Sequence, residues 1–142
     1  MEAEFISFEE VEYSFSPENP DQIRSWIKHT IEHENKEVGM LNFIFTSDQY
    51  LLSINQSYLN HDTFTDIITF DYCEDNIVSG DIFISVERVK ENAEKFGVSL
   101  QDELHRIIIH GTLHLCGYGD KQVHEKALMT EKEDYYLSLR HF

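Results

Sequence analysis

Apolar positions recur along this chain with two different periods, and the switches between them mark out its elements. From Glu4 to Phe15, Phe, Ile, Val and Tyr alternate with polar residues, which predicts an edge strand or one arm of a hairpin. Ser16-Pro17-Glu18-Asn19-Pro20 breaks that run. The period then lengthens: Ile23, Trp26, Ile27, Thr30 and Ile31 fall three or four apart, predicting an amphipathic helix from Asp21 to Glu34. Gly39 is expected to end this unit, and Met40 to Phe45 reads as a short buried strand. Ser47 and Asp48 are N-cap candidates for a helix through Leu51, Leu52, Ile54 and Tyr58. Strands are expected at Ile67–Tyr72 and Asp81–Val86, with turns at Glu74-Asp75-Asn76 and at Ser79-Gly80.

The last third of the chain reads as helical. Val86 to Phe96 places Val89, Ala93 and Phe96 on one face, with Ser85 as N-cap and Gly97 as terminator. Ser99-Leu100-Gln101-Asp102 has the form of a capping box for the next helix, which carries Leu104, Ile107, Ile108, Ile109, Leu113 and Leu115. Apolar on most sides, that helix is expected at the centre of the fold. A polar helix from His124 to Leu139 closes the pattern. The order β-α-β-α-β-β-α-α-α predicts an α+β fold, an α/β sandwich with about four strands in a mixed sheet packed on helices.

Composition narrows the class. The 142 residues suit one domain, 1–142, with 41% hydrophobic and 13% aromatic content. No apolar run approaches the length of a membrane span, and the acidic start Met1-Glu2-Ala3-Glu4 lacks the features of a secretory signal. Two cysteines, Cys73 and Cys116, are read as free thiols in a cytoplasmic protein. Net charge is −16, unlike that of a typical nucleic-acid binder, but 8 of the 11 basic residues lie beyond residue 85.

That basic-enriched part also carries the most specific chemistry. In His110-Gly111-Thr112-Leu113-His114-Leu115-Cys116-Gly117-Tyr118-Gly119-Asp120, two imidazoles sit four apart on one helical face. Burying both on an apolar helix is costly unless something pairs with them, and one metal ion satisfies both rings. Gly117 and Gly119 let the chain reverse, which can return Asp120 as a third ligand and leave a fourth position for water. The glutamate of the His-Glu-x-x-His pattern is missing because Gly111 holds its slot, which argues against peptide hydrolysis. Cys116 is read as a packed thiol pointing away from the His110–His114 face.

This stretch resembles the signature of the YbeY family, from His110 through Tyr118. Thr65-Asp66-Ile67-Ile68-Thr69-Phe70 and Gly80-Asp81-Ile82-Phe83-Ile84-Ser85 resemble two further family segments in order. The resemblance spans roughly residues 40 to 137. It implies a metal-dependent, single-strand-specific endoribonuclease acting in small-subunit rRNA maturation and ribosome quality control. It further implies one Zn2+ per chain, rRNA and the small ribosomal subunit as partners, and no membrane association. Catalysis would run through His110 and His114 by way of a metal-bound water.

Two departures stand out. The family's third histidine is replaced by Asp120; the alternative third ligand is His124, four residues further on. An arginine expected shortly before Thr65 is absent, and no Lys or Arg occurs between Glu37 and Glu87, leaving His61 as an ordinary loop histidine or a partial substitute. Asp66 and Asp81 are candidates either to orient a ligand imidazole or to cap local backbone. Two rival functions remain open at this point: a zinc peptidase-like hydrolase, and a non-catalytic ribosome assembly factor with a structural metal.

Overall fold

A computed structural model describes residues 5–59 and 65–142. Its elements run β1 (Phe5–Val11), α1 (Pro20–His33), β2 (Glu37–Thr46), α2 (Asp48–Leu59), β3 (Ile67–Asp71), β4 (Ile77–Ser85), α3 (Val86–Phe96), α4 (Leu100–Leu115) and α5 (Val123–Ser138). This is the order expected from the pattern. The sheet is mixed, as expected, with strand order β1-β2-β4-β3: β1 and β4 flank β2 in parallel, and β3 pairs antiparallel with β4.

Strand parity decides what each helix meets. Val78, Gly80, Ile82 and Ile84 of β4 are buried on the face that receives α4, beside Leu41, Phe43 and Phe45 of β2. On the opposite face Phe70 and Phe83 pack with Leu51 and Ile54 of α2 in a smaller cluster. Helix α1 buries the five residues of its predicted stripe, Ile23, Trp26, Ile27, Thr30 and Ile31, and Trp26 Nε1 donates to the Tyr136 carbonyl at 2.8 Å. Helix α4 is the hub, with Leu104, Ile108, Ile109 and Leu113 fully buried. Ser99 caps it by accepting from Asp102 N at 3.0 Å, while the Asp102 carboxylate takes Arg140 at 3.1 Å.

Two glycines and one aromatic depart from the expectations. Gly39 does not end a unit but lies inside β2 at a register shift, where a Cβ would come within 2.2 Å of Ser79 Oγ. Ser79 and Gly80 belong to β4 rather than to a turn, and Gly80 makes room for Leu115, whose Cδ1 would lie 2.9 Å from an added Cβ. Both are close-approach positions, which pattern alone cannot separate from turns. Gly97 terminates α3 at φ 68° as expected. Phe96, placed on the buried face by spacing, is exposed, because α3 buries only Val86, Val89 and Ala93.

Candidate metal centre

Helix α4 leaves one narrow stripe out of its apolar packing, and His110 and His114 occupy it, their side chains 18% and 24% exposed. Gly111, beside them, packs on the sheet: a Cβ there would lie 2.9 Å from Ile67 Cδ1 and 3.1 Å from Ile82 Cγ2. The missing glutamate therefore has a steric cause. A long side chain at 111 would enter the sheet rather than the cleft.

The chain leaves α4 through Cys116 and reverses at Gly117, where φ is 110°, a conformation that favours glycine. Tyr118 N closes the reversal on the Leu113 carbonyl at 3.1 Å. Gly119 serves differently: the Glu125 carboxylate passes 2.7 Å from where its Cβ would stand and accepts the Lys121 and Gln122 amides. Tyr118 is anchored by donating to Glu34 Oε1 at 2.7 Å, and Tyr136 donates to Glu34 Oε2. Burial acts to raise the Glu34 pKa, but these two hydroxyls and Lys132 outweigh it and hold the carboxyl below its ordinary value.

The reversal brings Asp120 back. Its Oδ2 lies 3.3 Å from His110 Nε2 and 3.1 Å from His114 Nε2, and one ligand atom from each of the three residues falls within a 4.8 Å group. The other ring nitrogens are spoken for. His110 Nδ1 meets Glu133 Oε2 at 2.6 Å, and His114 Nδ1 meets the Tyr118 carbonyl at 2.9 Å. Those partners accept, so Nδ1 donates in both rings and the Nε2 lone pairs turn toward Asp120. Three acceptors facing one another repel unless a cation or proton lies among them. Tetrahedral zinc with bonds near 2.0–2.2 Å separates its ligands by about 3.3 Å, so the residues present fit such an ion.

His124 is exposed at the start of α5 and lies outside this group. Cys116 is half-buried against the core, its thiol pushed up to about 12 by burial, in keeping with a packed rather than ligating sulfur. Asp66 lines the same cleft as His110 and Asp120, and burial raises its carboxyl pKa. Asp81 does not reach it: facing the opposite side of the sheet, it accepts from Asn42 Nδ2 at 2.9 Å. His61 lies outside the described residues.

Three participants escaped the sequence reading. Glu133, 6% exposed, holds His110 through Oε2 and Arg106 Nη1 through Oε1 at 2.9 Å. It draws His110 toward protonation in the metal-free chain: burial would depress that ring, but the Glu133 hydrogen bond and the charges of Glu133, Asp120 and Asp66 win, and its pKa is raised. Arg106, one turn before His110, and Lys126 of α5 bring cations to a cleft that had none in the expectations. A signal for Glu133 was present: Met129, Glu133 and Tyr136 form the buried stripe of α5, and a carboxylate in such a stripe demands partners.

A family model described as Endoribonuclease YbeY matches residues 6–140. Endoribonuclease YbeY of Flavobacterium johnsoniae is 49% identical over 130 residues, covering 92% of this chain and 94% of its own. Its counterpart from Cytophaga hutchinsonii is 46% identical over the whole of both chains. Among solved structures, a solution structure from Thermotoga maritima superposes with a TM-score of 0.67 at 26% identity, covering 94% of this chain and 87% of that one.

Proposed function

The chain belongs to the YbeY family, and on that premise we propose that it is a metal-dependent endoribonuclease. Its substrate in this reading is single-stranded RNA in the maturation and quality control of the small ribosomal subunit, in the cytoplasm. The observation that carries it is the convergence of His110 Nε2, His114 Nε2 and Asp120 Oδ2 on one point, beside an open cleft.

One divalent ion, zinc in this reading, would be held by these three residues and would supply Lewis acidity toward a phosphoryl oxygen while acidifying a water molecule. The protein's own groups do the rest. Glu133 and the Tyr118 carbonyl fix both imidazoles with Nδ1 protonated and Nε2 free. We assign proton transfer to the Asp66 carboxyl, which feels both His110 and Asp120 and is biased by burial toward holding a proton. No helix among the described residues is long and apolar enough to cross a membrane.

Purified protein, loaded with zinc or stripped by chelator, is to be assayed on single-stranded and duplex precursor rRNA. Cleavage of the single-stranded substrate by the loaded form alone is expected, with loss in His110→Ala and a reduced kcat at full zinc content in Asp66→Asn. Equal cleavage by the stripped protein would sink the metal dependence. The net charge of −16 favours a second reading, a ribosome assembly factor that docks without cutting. Normal rRNA ends in a deletion strain rescued by His110→Ala would favour it. A peptidase is disfavoured by the packing at Gly111, which bars a carboxylate from that position.

A further inference from the structure

The cleft beside the metal ligands, about 420 Å³, is lined by Asp66, Arg106, His110, Asp120, Lys126 and Glu133 among others. Three of these six side chains, Asp66, Asp120 and Glu133, are carboxylates, which repel a phosphodiester backbone. Its two cations are not equivalent. Arg106 is committed: Nη1 bonds buried Glu133 at 2.9 Å and Nη2 bonds Asp134 at 2.7 Å, so turning it toward a substrate would strip a buried carboxylate of one of its two partners. Lys126 is exposed, and its ammonium has no carboxylate or ring partner among the described residues. Helical spacing puts it on the face of α5 that holds Thr130 and Glu133, about 10 Å along the axis from the carboxylate that orients His110. Lys126 thus lines the cleft as a flexible point charge two turns of α5 away from Glu133.

We propose that Lys126 binds a backbone phosphate of the RNA strand flanking the one to be cut, and so sets the path of the strand across the ligand group. This rests on the endoribonuclease reading above. It assigns the cleft a single-stranded polyanion, since a lone lysine on an acidic wall offers charge without reading a base edge.

The test compares wild type, Lys126→Ala, Lys126→Arg and Lys95→Ala, the last a charge-matched change on α3. Two readouts are used: steady-state cleavage of a single-stranded oligoribonucleotide, and its binding by fluorescence anisotropy across a salt series. For Lys126→Ala, KM is expected to rise about tenfold with kcat within about twofold, and the log–log salt slope to shrink by about 0.7, one phosphate contact on a single strand. Zinc content should stay at the wild-type level, Lys126→Arg should restore KM, and Lys95→Ala should change nothing. If wild type cleaves and Lys126→Ala matches it in KM and salt slope, the proposal is overturned; a loss in kcat alone overturns it too. If wild type binds RNA with the Lys126-dependent slope but never cuts, the catalytic reading fails and only the phosphate contact of Lys126 stands. No binding at all removes both.

Discussion

His105 and His110 stand five residues apart on α4 and have opposite electrostatic fates. The ring of His105, 3% exposed, lies between Trp26 and Phe142, at 5.8 and 5.2 Å between centroids. Arg140 donates to its Nδ1 at 2.7 Å, so Nε2 carries the proton and finds no hydrogen-bond partner among the described residues. Burial first, and the Arg140 charge second, lower its pKa to about 4. His110 is also buried for the most part, yet the carboxylates around it raise its pKa. Burial pushes both rings the same way; what faces the nitrogens reverses the result. The helix thus keeps one neutral imidazole as core and turns another, with His114, into a cation-seeking pair.

Breaking the cation-seeking side should have the largest effect. His110→Ala, His114→Ala and Asp120→Ala should each weaken zinc binding by more than about 100-fold, read by competition with a chromophoric chelator, whereas Asp120→His keeps the ion. The apolar side responds to pH instead. His105 stays neutral in the fold down to about pH 4 but protonates below 6.5 when the chain unfolds. The unfolded state therefore binds the extra proton between those values, and stability rises with pH across the window, by up to about 3 kcal/mol. His105→Gln, which still offers Arg140 an acceptor, should flatten denaturant midpoints between pH 4 and 6.5; an unchanged slope would assign it to other groups. Glu133→Gln sharpens the contrast, since it weakens the pull on His110 Nδ1 without emptying the ligand shell, and zinc affinity should fall about 10–100-fold. The smallest effect belongs to His124→Ala, expected within about twofold of wild type; a loss exceeding that of Asp120→Ala would reverse the ligand assignment.

The two histidine environments differed in how far the sequence revealed them. His110, His114 and Asp120 lie within one helix and one turn, so local spacing sufficed to group them. Element order and the full span of α3 were likewise local, written in periodicity and caps. Glu133 and Lys126 reach the cleft only once α5 docks on α4, which also pairs Glu133 with Arg106, already one turn before His110, and His105 is sealed by residues from α1 and the C-terminal segment. Such contacts leave at most a hint, as the charged residue in the apolar stripe of α5 does. Asp81 was misjudged as a possible neighbour because β4 parity, which turns it to the α2 side, depends on which face α4 covers. Gly39 and Gly80 were misread because a glycine needed for close packing looks the same in sequence as one needed for a turn.

The parallel pairing of the sheet has a consequence in time. Phe43 of β2 must find Ile82 of β4 across α2 and β3, and Phe8 must find Phe43 across α1, so closing these long loops governs the rate of folding. The ligand residues are local, but Glu133 and Glu34, which hold the rings and the turn in register, arrive only with the docked helices. A tight site for the proposed ion is thus a late product of assembly rather than its seed. Zinc should slow unfolding and leave the refolding rate untouched, shifting only the unfolding arm of a chevron plot; acceleration of refolding would mean that the ligand turn forms and binds early.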